Sequence, residues 1–313
     1  MNATPPKAAA PVLFVGALTR DTLYRVADFS RGPGKYIAEG SVSMASGMAS
    51  NAATAAARLG GAPALWASVG RDALGPALIA EIAAEGVDCS AVRQVPGARS
   101  ASATIIVDGA GERWVLVDYD AVTQGSPEPG EMPDISAHGA VMVDVRWPAA
   151  ARIALSAARG LGLPAVLDAD VAAKDTLADL SRHASHIVAS AAGAAILTDG
   201  AGPEAAAGQI AATFGCFACV TDGAAGSFLV EGPDRPVMHI PTPVVEVVDT
   251  NGAGDVFHGA FAQALAEGAE PADCIRFASA AAALKCMVLG GRLGAPNRRD
   301  TLDLMRATYP AGR

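Results

Sequence analysis

The chain has 313 residues, room for one large α/β domain with a small accessory element or for two medium domains, and 51% of them are hydrophobic, ample for a sizeable core. Only 18% are charged, and the formal net charge of −9 excludes a general attraction for nucleic acid or anionic membrane, so anion recognition has to come from individual basic side chains. The five cysteines, an odd number in a long chain, do not read as a disulfide framework.

The opening MNATPPKAAAP (1–11) is a short Pro/Ala tail without the apolar core of a signal peptide, and the later Ala-rich stretches are broken by Arg, Gly or Lys before they reach membrane-spanning length. A cytoplasmic location is the expectation. "APVLFVGALTRD" reads as a strand that ends at Gly16 and leads to Asp21. "GKYIAEGSVSMASG" alternates like one or two half-buried strands and runs into a helix over 50–60. "PALWASVG" predicts a strand, "DALGPALIAEIAAEG" a helix, and "SASATIIVDGAGERWVLVDYD" two strands joined by an Asp-Gly-Ala-Gly turn.

From His138 onward the alternation is cleaner, with strands in "GAVMVDVRW", "PAVLDAD", "ASHIVAS" and "CFACVTDG" and helices between and after them. Repeated strand–helix units predict an α/β fold, a mostly parallel central sheet flanked by helices. The extra strands at 35–44 and 100–119 fit a small β-sheet lid over the carboxyl ends of the large sheet, where ligands bind in such folds. Residues 12–34, 45–99 and 120–300 then form the large domain, and 301–313 a second tail. Cys216 and Cys219 have CxxC spacing inside an apolar strand with no second pair and no nearby His, which favours core thiols over redox or zinc chemistry.

The most informative stretch is "EVVDTNGAGDVFHGAFAQAL", Glu246 to Leu265. VVEVV is β-branched and short, while the apolar residues after the glycines have helical spacing, so the reading is strand, tight turn, helix. At a helix start the first N–H groups lack internal partners, and Gly252, Ala253 and Gly254 can place such donors around an anion with little side-chain bulk. Asp255 stands at the mouth of that hole, where a carboxylate can take a proton from an attacking hydroxyl. A helix cap beside a tight turn is the bland alternative. Asp21, Asn51, Asp118, Asp144, Arg146, Asp168, Asp170 and Asp249 also fall at strand ends or turns, so they can meet in one cleft, although each alone is as readily a turn former. There is no GxxxxGK[ST] loop, and the glycines do not open the chain as the dinucleotide fingerprint does.

"DTNGAGDVFHGAF" together with "SGMASNAATAAARLG" resembles the ribokinase-like, PfkB-type carbohydrate kinases, and the similarity runs from about Pro11 to Asn297. The resemblance implies a ribokinase-like fold and an ATP-dependent kinase that transfers the γ-phosphoryl group to a sugar hydroxyl. It makes Asp255 the catalytic base, Gly252, Ala253 and Gly254 the anion hole, and Asp249 an organiser of that loop and of any bound cation. It places Asp21, Gly47 and Asn51 on the sugar. "VTDGAAG" resembles the nucleotide-side turn and "AAAALKCMVLGG" the adenine-side helix and loop, which implies Ser190, Thr221, Gly223, Gly226, Cys286 and Gly290 around the nucleotide. The implied cofactors are ATP and Mg2+, with K+ as a further candidate, and a homodimer paired through the lid is the implied assembly.

Two departures stand out. Ser46 precedes Gly47 where the family usually has Gly-Gly, and Ala191 follows Ser190 where it often has an acidic residue that helps position magnesium, so Asp168 and Asp170 are expected to take more of that role. Loss of that carboxylate also leaves a non-catalytic sugar-binding relative as an alternative. PGKY and DVRW most resemble the sulfofructose kinases, which implies Lys35 and Arg146 at the anionic end of a ketose such as 6-deoxy-6-sulfofructose, phosphorylated on its 1-hydroxyl. Asp118 stands where those enzymes have an Asn, and its charge equally suits the hydroxyls of a neutral sugar such as fructose, tagatose, ribose or 2-keto-3-deoxygluconate, or of a nucleoside.

Overall fold

The computed structural model describes residues 11–30, 32–109 and 113–310. A nine-stranded sheet forms its centre, in the order β13-β12-β11-β10-β9-β8-β1-β4-β5. These strands are β1 (Val12–Gly16), β4 (Ala64–Gly70), β5 (Arg93–Val95), β8 (Ala140–Val143), β9 (Ala165–Ala169), β10 (His186–Ser190), β11 (Phe217–Thr221), β12 (Ser227–Val230) and β13 (Met238–Ile240). All pairings are parallel except those of β12 and β13 at one edge. A second sheet, in the order β3-β2-β6-β7, contains β2 (Thr19–Arg25), β3 (Gly40–Ser46), β6 (Ser102–Val107) and β7 (Arg113–Asp118).

The central strands are apolar on both faces because both are covered. Val12, Phe14, Leu65 and Met142 point into a core shared with α1 (Met48–Arg58), α2 (Leu74–Ala83), α7 (Ala253–Ala266), α8 (Pro271–Cys286) and α9 (Arg298–Thr308). Their neighbours Leu13, Val15, Trp66 and Val143 face the opposite core, made with α3 (Pro148–Gly160), α4 (Lys174–His183), α5 (Ala191–Leu197) and α6 (Pro203–Phe214). Each large apolar side chain withdrawn in this way contributes about 1.5–3 kcal/mol relative to exposure. The α/β architecture is therefore as expected, and the carboxyl ends of β1, β8, β9, β10 and β11 all open on the side where ligands bind in such sheets.

Several boundaries differ from the sequence reading. Residues 19–25, expected in the large domain, form a central strand of the small sheet, with β3 on one side and β6 on the other. Residues 35–39 are irregular, and the strand begins only at Gly40. VVEVV is not a strand: Val244 is 100% exposed, and Val247 and Val248 are largely exposed. Pro241 and Pro243 explain this, because proline supplies no ladder N–H and a central strand does not accept it. Residues 301–308, expected as a tail, continue α9, whose Thr301 is fully buried. The first tail falls almost wholly outside the described residues, as do 311–313 and part of the β6–β7 turn. Cys216 and Cys219 are buried thiols of β11 and its approach, pushed up by burial to about 11 and about 12.

Candidate active site

Three main-chain segments are tied together beneath the site by one carboxylate. Asp144, fully buried just after β8, accepts hydrogen bonds from the N–H groups of Ala17 (2.8 Å), Ala49 (2.9 Å) and Arg146 (2.8 Å). These are the exit of β1, the first turn of α1 and the exit of β8. Burial raises the Asp144 carboxyl above its usual range even with three N–H donors opposing it. The residue is an anchor, and it sets where α1 presents Asn51.

Above that anchor lies a cavity of ≈ 520 Å³ between the two sheets, lined by Asp21, Ser46, Gly47, Asn51, Arg146, Asp168, Asp170, Gly252, Gly254, Asp255 and His258. Asn51 Nδ2 donates to Asp255 Oδ2 at 2.6 Å and to Ser46 Oγ at 3.1 Å. Asn51 Oδ1 is buried without a hydrogen-bond partner, an acceptor that a substrate hydroxyl can satisfy. Asp255 is raised to about 7, first by burial and then, against the Asn51 hydrogen bond, by the charges of Asp144, Asp170 and Asp21. A carboxylate poised near neutrality is suited to take a proton from an attacking hydroxyl. Asp21 is raised too, mainly by burial, while the Thr19 hydroxyl donates to it at 2.8 Å.

The loop before α7 has the expected form with one change of detail. Gly252 caps the helix in the left-handed region at φ 73°, which favours glycine. Ala253 N–H donates to Thr250 O at 3.2 Å, so the first-turn donors left without an intrahelical acceptor are those of Gly254 and Asp255. Asp249, expected near a cation, accepts instead from the N–H groups of Asn251 (2.8 Å) and Gly290 (2.8 Å), and Lys285 Nζ lies 3.3 Å from its Oδ2. Burial opposes its ionisation, but these donors hold the carboxyl below its usual range. Gly290, assigned to the nucleotide, serves this loop and does not line the second cavity.

That second cavity, of ≈ 560 Å³, runs between the β11–β12 turn and α8. Ser190, Thr221, Gly223, Gly226 and Cys286, the other residues assigned to the nucleotide, line it together with Val244, Val245, Val247, Phe257, Ala282 and Ala283. Ser190, Thr221, Thr250 and Gly254 line both cavities, so the two meet at the start of α7. The Ser190 hydroxyl accepts from Gly193 N–H at 3.0 Å, capping α5, and donates to Asp170 Oδ1 at 2.9 Å. A Cβ at Gly193 would lie 2.0 Å from Ala169 O, so no longer side chain fits there. Among the described residues no group of three or more His, Cys, Asp or Glu side chains is placed to hold a metal alone. The hard oxygens of Asp168 and Asp170, which line the first cavity, nevertheless fit Mg2+, which is usually held by few carboxylates together with phosphate and water. Asp168 is buried and raised well above its usual range by burial and by the neighbouring carboxylates.

Of three expected substrate contacts, two lie away from the cavity and one lines it. Asp118 faces away from the cavity, because Val117 and Tyr119 point into it, and its carboxylate pairs with Arg99 at 2.9 Å. Lys35 lies exposed on an irregular segment and does not line the cavity. Arg146 does line it, with Nη1 donating to Val171 O at 3.1 Å and Nη2 3.5 Å from Asp170 Oδ2. Sequence reasoning missed the apolar wall of Met48 at the start of α1 and of Ile105, Val115 and Val117, whose only signal was alternation in the small sheet. It also missed His258, buried one turn beyond Asp255, whose ring nitrogens face Gly254 O (2.8 Å) and Val188 O (3.1 Å).

The chain is similar to known carbohydrate kinases over most of its length. Ribokinase from Bacillus subtilis is 28% identical over 262 residues, 83% of this chain and 87% of that one. A solved structure of a candidate ribokinase from Agrobacterium tumefaciens superposes with a TM-score of 0.91 at 44% identity, covering 96% of this chain and 98% of the other. Ribokinase from Arabidopsis thaliana is 42% identical over 84 residues, only 27% of this chain and 22% of that one. The solved structure of Arabidopsis thaliana ribokinase complexed with ribose and ATP has a TM-score of 0.79 at 23% identity, over 95% and 99% of the two chains, a likeness of fold. No helix among the described residues is long and apolar enough to cross a membrane. Residues 10–298 match the pfkB family carbohydrate kinase profile, and the chain belongs to that family.

Proposed function

We propose that this carbohydrate kinase transfers the γ-phosphoryl group of ATP to a hydroxyl of a neutral sugar. The observation that carries the substrate class is the carboxyl-rich lining of the first cavity: Asp21, Asp168, Asp170 and Asp255 line it, and its single Arg or Lys among the described residues, Arg146, already faces Asp170. Carboxylates accept hydrogen bonds from hydroxyls and repel a second anion. The sugar hydroxyl lies against Asp255 and the unpartnered Asn51 Oδ1, with its less polar face on the wall from β6 and β7. Asp255 takes the proton as the hydroxyl attacks in line, and the N–H groups at the start of α7 receive the phosphoryl oxygens. Asp168 and Asp170 would hold Mg2+, which when bound would supply charge neutralisation on the phosphates. The adenine side lies in the valine-walled cavity.

A second reading, an anionic sugar such as 6-deoxy-6-sulfofructose, has Arg146 in its favour, since a guanidinium keeps donors to spare after one acceptor and one carboxylate. One experiment separates the two. Sugar-dependent ADP release is measured across ribose, fructose, tagatose, 2-keto-3-deoxygluconate, nucleosides, fructose phosphates and 6-deoxy-6-sulfofructose, for wild type and Arg146→Ala. A neutral sugar turning over best supports the proposal; a sulfo- or phosphosugar winning, with activity lost selectively in Arg146→Ala, replaces it with the anionic reading. Binding without ADP release across the whole panel makes the chain a sugar-binding relative.

We also propose a homodimer through β7, an outer strand of the small sheet that exposes Trp114 and Leu116. Light scattering that reports a monomer at micromolar concentration would remove that assembly.

A further inference from the structure

α8 buries a lysine that neither cavity uses. Lys285 is 0% exposed, and its Nζ donates to Asp249 O at 2.6 Å and Val288 O at 3.3 Å and lies 3.3 Å from Asp249 Oδ2. An ammonium has three N–H donors and no acceptor, and here three oxygens from two chain segments surround it. One segment opens the loop that leads through Gly252 to Asp255; the other precedes Gly290, whose N–H donates to the same Asp249 Oδ2 at 2.8 Å, while Asn251 N–H holds Oδ1 at 2.8 Å. Cys286 O completes the seam by accepting from Val248 N–H (2.8 Å) and Asp249 N–H (3.0 Å).

Two main-chain carbonyls and a carboxylate form the all-oxygen set that a hard cation seeks. The K+ suggested by the sequence resemblance does not fit here, because a covalently tethered cation already stands between the oxygens. A buried charge is retained only when its partners are complete, and removing either side leaves the other uncompensated. We propose that Lys285 is a built-in monovalent cation: it positions the anion-hole loop, and it makes turnover independent of alkali ions in solution. Lys285 acts through the loop and is a positioning residue. The prediction for turnover rests on the kinase reading given above; the prediction for loop stability does not.

The test uses the full chain as wild type, Lys285→Ala, which opens room for an ion, and Lys285→Met, which fills the space without charge. Wild-type kcat in tetramethylammonium buffer should match that in potassium or ammonium chloride. Lys285→Ala should lose on the order of 100-fold in kcat with little change in nucleotide KM, as expected when reacting groups are misplaced, and should regain much of it with potassium or ammonium but not with tetramethylammonium. Lys285→Met should lose activity without rescue. Potassium should also raise the melting temperature of Lys285→Ala and leave that of wild type unchanged, a readout that needs no sugar and survives failure of the kinase reading. Strong stimulation of wild type by potassium, wild-type turnover in Lys285→Ala, or a folded Lys285→Ala that neither cation affects in rate or melting would each overturn the proposal. Should both variants fail to fold, the wild-type comparison decides it.

Discussion

The two cavities that meet at the start of α7 both have an apolar wall, but only one of them carries carboxyl groups. The one between the sheets is walled by Asp21, Asn51, Asp168, Asp170 and Asp255, side chains whose burial raises several of them above the usual carboxylate range. The one beside α8 is walled by valines, alanines, Phe257 and the backbone of the β11–β12 turn, with no Asp, Glu, Lys or Arg among its lining residues. The difference suits the roles proposed for the two sides. A hydroxyl must be oriented and relieved of a proton, which takes fixed charges at hydrogen-bond distance. A flat heterocycle needs shape and apolar area, while its phosphates are met by N–H groups.

Substitutions on the two sides should act on different kinetic constants. The largest effect is expected for Asp255→Asn, which keeps the shape and the helix start but removes the proton acceptor: kcat should fall on the order of 10³-fold while calorimetric ADP binding is preserved. Near-normal turnover would show that the raised carboxylate is not the base. Asn51→Ala should come next. It removes the hydrogen bond to Asp255 and the free acceptor together, and losing a hydrogen bond to a charged group, about 1.5–3 kcal/mol, corresponds to a fall in kcat/KM for the sugar of roughly 10- to 100-fold. An equal rise in the KM for ATP would break the comparison.

The pH dependence is a milder test of the same charges. With Asp255 near 7, sugar kcat/KM should drop toward tenfold per pH unit below that point, and Asp255→Asn should lose this dependence. The stability sign is opposite. A carboxyl raised on folding contributes stability at acid pH that is lost as pH rises through about 7, so wild type should gain less than Asp255→Asn between pH 4 and 7 in thermal melts. The smallest effect belongs to the apolar side. Val247→Ala removes about two methylene equivalents from a side chain already 59% exposed, so the ATP KM should rise only about threefold, with kcat and sugar KM unchanged.

Much of the first cavity was legible because its residues mark themselves locally. An Asp in the first turn of a helix, preceded by glycines, can be placed on a helix start without tertiary information, and Asp255 and Gly252 lie as that reading requires. Asn51 was also identifiable, since it sits in the first turn of an Ala-rich helix. The second cavity was legible only in part. VVEVV has the composition of a strand, and the two prolines before it were the overlooked signal that it is a wall. Asp118 was misplaced by one step of alternation, since a strand sends neighbouring side chains to opposite faces and the pattern VLVDYD does not say which face is the cavity.

Taken alone, the sequence determined the layers of the fold, the helix start that carries Asp255 and the absence of general basic character, because periodicity, glycine placement and net charge act over a few residues or over the whole chain. The tertiary structure decided which charges are spent on each other: Arg146 against Asp170, Asp118 against Arg99, and Lys285 inside the oxygens of Asp249 and Val288. A lone Lys in "AAAALKC" looks like any surface lysine until helix α8 is packed. Pairing is set by distances across the chain, here 36 residues for Lys285 and Asp249, and local pattern holds no record of those distances.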